Sequence, residues 1–161
     1  MENLKLTRID FRLIHGQVMT RWAKKYDTEA IVVIDDRSAS SALLKKILLG
    51  AAPAGIDVTV ESVASAAAKW KAGEFPTGSL IILFKNTETA LAAYKAGVAY
   101  PSLQVGGIEG AGEKKNVYKN VVMSTAEAAH LKELGDAGVN GFFQPIPEDA
   151  EYPLADALKK F

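Results

Sequence analysis

The residues best equipped for chemistry lie together near the N-terminus, in Arg8-Ile9-Asp10-Phe11-Arg12-Leu13-Ile14-His15-Gly16-Gln17-Val18. A neutral imidazole such as His15 is a good nucleophile near neutral pH and has two distinct ring nitrogens. Arg8 and Arg12 offer planar, permanently charged forks that suit phosphate oxygens. Asp10 is placed to orient either His15, by fixing its tautomer, or Arg12; spacing does not choose between them. Gly16 leaves room for a bulky group and opens a helical pattern, so the first N–H groups, through Gln17, attract an anion. Together these residues make a histidine that can take and hold a phosphoryl group. Against this stands the plainer reading of a satisfied histidine and two solvated arginines, which residue types alone do not dismiss.

The elements that must position this segment are legible around it. An apolar strand pattern (Leu4, Leu6, Ile9) runs in, and residues at helical spacing (Val18, Met19, Trp22, Ala23, Tyr26) run out. Downstream, Ala30 to Asp35 is a β-branched run typical of a strand buried on both faces. Asp35, Asp36 and Ser38 break it before a helix through Leu43, Leu44, Ile47 and Leu48. Asp57 to Glu61 alternates as a strand, and Ser62 opens a helix to about Ala72. Ser79 to Lys85 is a further apolar strand, and Asn86 caps a helix that closes at Gly97. Ser102 to Val105 follows as a strand, then a glycine-rich loop to Gly112, and Val117 to Met123 as a weak strand broken in its middle. Ser124-Thr-Ala-Glu127 is a capping box for a helix to Ala137. Val139 to Gln144 is the last strand, and Pro145 to Pro153 a loop before a short terminal helix. This alternation predicts one α/β domain over residues 1–161, an open, mostly parallel β-sheet with helices on both faces. Right-handed crossovers bring Asp35, Lys85-Asn86 and Gly106-Gly107 to the same carboxyl edge as His15, where such sheets bind ligands.

The run R-I-D-F-R-L-I-H-G-Q-V, followed by Thr20-Arg21-Trp22, resembles the active-site signature of IIB components of the mannose/fructose/sorbose class of bacterial phosphotransferase systems. Ala30 to Asp36, Ala51-Ala-Pro-Ala-Gly-Ile56 and Leu103-Gln-Val-Gly-Gly107 resemble further segments of that family. The resemblance implies a cytoplasmic phosphocarrier, a protein-N(pi)-phosphohistidine–sugar phosphotransferase with His15 as the phosphorylated residue. Its partners are then a phosphorylated IIA protein, the membrane IIC/IID components and a sugar, and a homo-oligomer is left open. Phe142-Phe-Gln-Pro-Ile-Pro147 looks more like the N-acetylgalactosamine branch, which leans the sugar that way.

Bulk properties narrow the alternatives. Nineteen basic and nineteen acidic residues cancel, so no overall field points to nucleic acid or an anionic membrane. The absence of cysteine excludes disulfides and thiol chemistry. The N-terminal residues lack a signal-peptide core, and Leu80 to Phe84 is too short to span a bilayer, so no direct membrane insertion is expected. Gly107 to Gly112 has P-loop spacing, but Glu113 stands where the lysine must be, so a nucleotide site is rejected. With two histidines and no cysteine no structural metal site is expected, nor any cofactor, and His130 reads as solvated. Trp22 and Trp70 read as core or partner-facing anchors. Two rival functions remain open: a non-catalytic partner module, and a small-molecule enzyme with His15 as general base.

Overall fold

Two inner strands, Ala30–Ile34 and Leu80–Phe84, form where β-branched and aliphatic runs are buried on both faces. Most helices begin where a capping side chain follows a strand or a turn. The computed structural model describes residues 2–161. Seven strands build the main sheet: β1 (Leu4–Asp10), β2 (Ala30–Ile34), β3 (Asp57–Glu61), β4 (Leu80–Phe84), β5 (Ser102–Gly107), β8 (Asn140–Phe143) and β9 (Tyr152–Pro153). Their order is β3-β2-β4-β1-β5-β8-β9, all parallel except β9, which runs against β8. The mostly parallel α/β architecture expected from the alternation is what the chain adopts. β6 (Lys115–Tyr118) and β7 (Val121–Met123) pair as a separate antiparallel hairpin. Lys119, at φ +52°, makes its turn, which is the break foreseen between Val117 and Met123.

The helices are α1 (Gly16–Lys25), α2 (Asp36–Ala39), α3 (Ala42–Gly50), α4 (Val63–Lys71), α5 (Thr87–Lys95), α6 (Thr125–Asp136) and α7 (Leu154–Leu158). Met19 and Trp22 of α1 and Leu48 of α3 pack on one face, against Leu6, Ile31, Val33, Ile81 and Leu83. Helices α4 to α7 cover the other face through Ala66, Leu91, Leu131 and Leu154, against Ile9, Val32, Ile82 and Phe84. Burying each such aliphatic side chain contributes about 1.5–3 kcal/mol, so the two layers hold the sheet edge in place. Caps end the strand runs as expected: Asn86, Ser62 and Ser124 each accept from a backbone N–H three residues on.

Some expectations change. The stretch after Asp35 divides into α2 and α3, because the side chain of Ser41 caps a new helix by accepting from Leu44 N–H. On α3, Leu43, Ile47 and Leu49 stay exposed and only Leu48 is buried, so helical spacing marked an outer face as well as an inner one. Gly106 and Gly107 are the last residues of β5 rather than part of the loop. His130 is half-buried, with Nδ1 2.8 Å from the Thr87 hydroxyl, because α6 packs across the start of α5. Trp22 is a core residue, and Trp70 packs edge-on to Phe75.

Gly106 stands where a Cβ would lie 2.0 Å from Cζ of Arg8. We expect Gly106→Ala to destabilise the fold by about 1–3 kcal/mol or more through overpacking, seen as a lower denaturation midpoint. Unchanged stability would mean that Arg8 does not occupy that space.

Candidate functional site

The strand order sets the site. From β1 the chain crosses out to β2 and β3, returns to β4 on one flank of β1, then passes to β5 on the other. Helix α1 leaves β1 toward one face, whereas the β6-β7 hairpin that follows β5 packs into the core of the opposite face. Connections parting in this way put the carboxyl ends of β1 and β5 at a switch point of the topology, where such sheets bind ligands. Asp10 pairs with Gly107 there, and Phe11 N–H donates to the Gly107 carbonyl at 3.2 Å.

Arg8 does not face solvent. Strand alternation turns it with Leu6 toward α1, fully buried, its guanidinium 5.2 Å from the centre of the Trp22 ring. One terminal nitrogen donates to Gln104 Oε1 and to the Gln144 carbonyl at 3.0 Å. The other donates to the Pro145 carbonyl at 2.8 Å and to Asp10 Oδ2 at 3.2 Å. Burial pushes its pKa down to about 10, against the upward pull of Asp10, so the charge persists at neutral pH. Both terminal nitrogens are thus committed, and Arg8 acts on the site through Asp10.

Asp10 is 1% exposed and gathers the two arginines. Its Oδ1 accepts from Arg12 backbone N–H at 3.1 Å and from Arg12 Nε at 3.0 Å, and Oδ2 accepts from the Arg12 terminal nitrogen at 3.1 Å. The Arg12 side chain is 43% exposed, so its fork is fixed at one edge and open at the other. His15 is 21% exposed, with Nε2 3.8 Å from Asp10 Oδ2, beyond hydrogen-bond reach. Its Nδ1 lies 2.9 Å from the Leu13 carbonyl. Asp10 therefore holds Arg12 closely and His15 only by proximity.

His15 is the N-cap residue of α1, yet its side chain makes no capping bond, and the first turn carries no acidic residue. Gly16 begins the helix at φ +41°, a conformation that L side chains rarely adopt, and Gln17 is exposed beside it. The positive end of α1 thus begins at His15 itself. Sequence reasoning missed Gln104 and Gln144, whose amides meet at 3.2 Å while Gln144 Nε2 donates to the Asp149 carbonyl at 3.0 Å. The signal was an amide inside an apolar strand for Gln104 and directly after one for Gln144. Among the described residues no group of three or more His, Cys, Asp or Glu could hold a metal ion, and no helix is long and apolar enough to cross a membrane.

Fold and site together define an open α/β protein with a histidine at its switch point, flanked by a fixed arginine and a helix N-terminus. The sequence pattern of the sorbose-subfamily IIB components of phosphotransferase systems matches residues 4–161, and the chain belongs to that family. It is 28% identical to the fructose-specific EIIB component of Bacillus subtilis, covering 99% of this chain and 98% of that one. It is 29% identical to the mannose-specific EIIAB component of Escherichia coli, covering 96% of this chain but 48% of that one. The crystal structure of the IIBSor domain of the sorbose permease from Klebsiella pneumoniae superposes with a TM-score of 0.90 at 29% identity, over 98% of this chain and 96% of that one.

Removing Asp10 leaves the buried Arg8 charge without its anion. Asp10→Ala should cost about 3–5 kcal/mol of stability. Arg12→Ala, at a partly exposed pair, should cost under about 1 kcal/mol. Denaturant unfolding of both variants tests this, and equal losses would contradict the division of labour between the two arginines.

Proposed function

We propose that the chain is a phosphocarrier in which His15 accepts a phosphoryl group from a phosphorylated IIA protein and passes it to a sugar during uptake through IIC/IID. The observation that carries this reading is the His15 edge itself. An imidazole, an arginine fork fixed on a carboxylate and an uncapped helix N-terminus lie together just beyond the carboxyl end of β1. Family membership supplies the phosphotransferase context.

In the first step the donor N–P bond breaks as an N–P bond forms at His15, and a proton passes from the His15 ring to the departing imidazole. In the second step a sugar hydroxyl attacks phosphorus, the His15 N–P bond breaks, and the hydroxyl proton restores the ring. Both are in-line transfers, so the protein's work is positioning and offsetting charge. Arg12 meets the phosphoryl oxygens with its open edge. Asp10 holds Arg12, and Arg8 holds Asp10. The N–H groups of Gly16 and Gln17 face the same oxygens. Phosphohistidine is already an activated donor, so the transfer calls for no cofactor or metal.

The donor and membrane partners place the chain at the cytoplasmic face of the membrane, held there through IIC/IID. That one relative is named as an EIIAB component supports a IIA partner. The sugar is a hexose or N-acetylhexosamine chosen by the membrane components. Relatives and neighbours at 28–29% identity carry the names of three different sugars. The stretch resembling the N-acetylgalactosamine branch is occupied with Arg8, through the carbonyls of Gln144 and Pro145.

Phosphorylation with the upstream carrier chain should give an acid-labile label that disappears in His15→Ala. A label that survives acid, or persists in that variant, overturns the assignment. Arg12→Ala should fold normally and slow transfer on the order of 10²-fold; single-turnover transfer rates measure it.

A further inference from the structure

We propose that Leu13 is a positioning residue, whose left-handed backbone aims its carbonyl at His15 and latches the unloaded imidazole in one tautomer and one orientation. The inference deepens the reading of His15 as phosphoryl acceptor and rests on it.

Leu13 has φ +55°, in the region that favours glycine, yet it carries a branched aliphatic side chain. Two contacts hold it there. Its N–H donates to the Asp10 carbonyl at 2.9 Å, closing a turn over Phe11 and Arg12. Its side chain is buried in the cluster that contains Met19 and Trp22 of α1. The turn is therefore anchored to the same carboxylate-bearing residue that fixes Arg12.

The consequence falls on the ring. The Leu13 carbonyl oxygen is 2.9 Å from Nδ1, and a carbonyl can only accept, so Nδ1 carries the hydrogen. Nε2 is then left with the lone pair in a neutral ring, enclosed and without a hydrogen-bond partner among the described residues, 3.8 Å from Asp10 Oδ2. One nitrogen is occupied and the other is shut against a carboxylate. Three phosphoryl oxygens have no access to either, so the ring must turn outward before transfer. The left-handed residue at 13 holds the closed state, and Gly16 at φ +41° supplies a compliant joint on the other side of the ring. A latch of this kind holds the ring back until a partner docks beside it and draws it out.

The test is the tautomer of His15, read from its two ring 15N resonances in the full unphosphorylated chain at alkaline pH, where an imidazole is neutral. The wild-type chain should show widely separated shifts, with Nδ1 protonated. Leu13→Ile keeps the apolar volume, but its β-branch opposes a positive φ, and its two shifts should move toward their mean. Leu13→Asn tolerates the left-handed conformation and should keep the wild-type pattern despite losing the apolar anchor. A wild-type ring protonated mainly at Nε2 overturns the proposal whether or not either variant folds. So does a folded Leu13→Ile with wild-type shifts. Phosphoryl uptake is scored separately on the same wild-type sample. Loss of uptake with the Nδ1–H tautomer intact would sink the acceptor reading and the latch's purpose with it. Uptake without that tautomer would sink the latch alone.

Discussion

A guanidinium with no exposure to water, held against a carboxylate that is almost equally sealed, is the constraint around which the rest is arranged. Taking such charges out of water costs several kcal/mol each, and only well-placed partners offset it. The sequence supplies those partners from three strand ends. Asp10 comes from two residues along the same strand, Gln104 from β5, and the carbonyls of Gln144 and Pro145 from the end of β8. Gly106 leaves the space, and Trp22 closes the group from the α1 side. Strands β1, β5 and β8 are thereby fastened together beside the site.

This fastening divides two chemically similar side chains into different jobs. Arg8 spends its hydrogen bonds on the protein interior, and Arg12 borrows a carboxylate from Arg8 while keeping one edge free. The Asp10 oxygens serve both, so the position of Arg12 depends on a residue that never reaches the surface. His15 lies at the margin of the network, close to Asp10 and bonded to a backbone carbonyl instead. A rigid arginine–carboxylate frame thus stands beside a ring that it does not itself hold, the combination that the proposed phosphoryl transfers use. The family to which the chain belongs gives that combination its biological setting, and the proposed transfers assign each part a role.

The relation of charge to place follows from the same arrangement. Nineteen basic and nineteen acidic residues cancel over the chain, which says nothing of a local site. Beside His15 lie the positive Arg12 and the uncapped start of α1, and the Asp10 carboxylate already accepts from both arginines. A ledger summed over the chain would have hidden this. The exposed apolar residues of α3 show the same limit for hydrophobic pattern, since helical spacing gives a helix without saying which of its faces the core will cover.

What the amino-acid order determined by itself was local. Apolar runs and capping residues specified the strands and most of the helices, because buried β-branched segments and side-chain caps act over a few residues. The cluster from Arg8 to Gln17 stood out for the same reason, and the handling of an anion there is what we propose. The tertiary structure alone decided which of its arginines is buried, whether Asp10 serves Arg12 or His15, and that Gln104 and Gln144 belong to the site. Those outcomes depend on β5 and β8 lying on the far side of β1. That neighbourhood comes from strand order, which joins residues more than ninety positions apart and leaves no trace in their spacing.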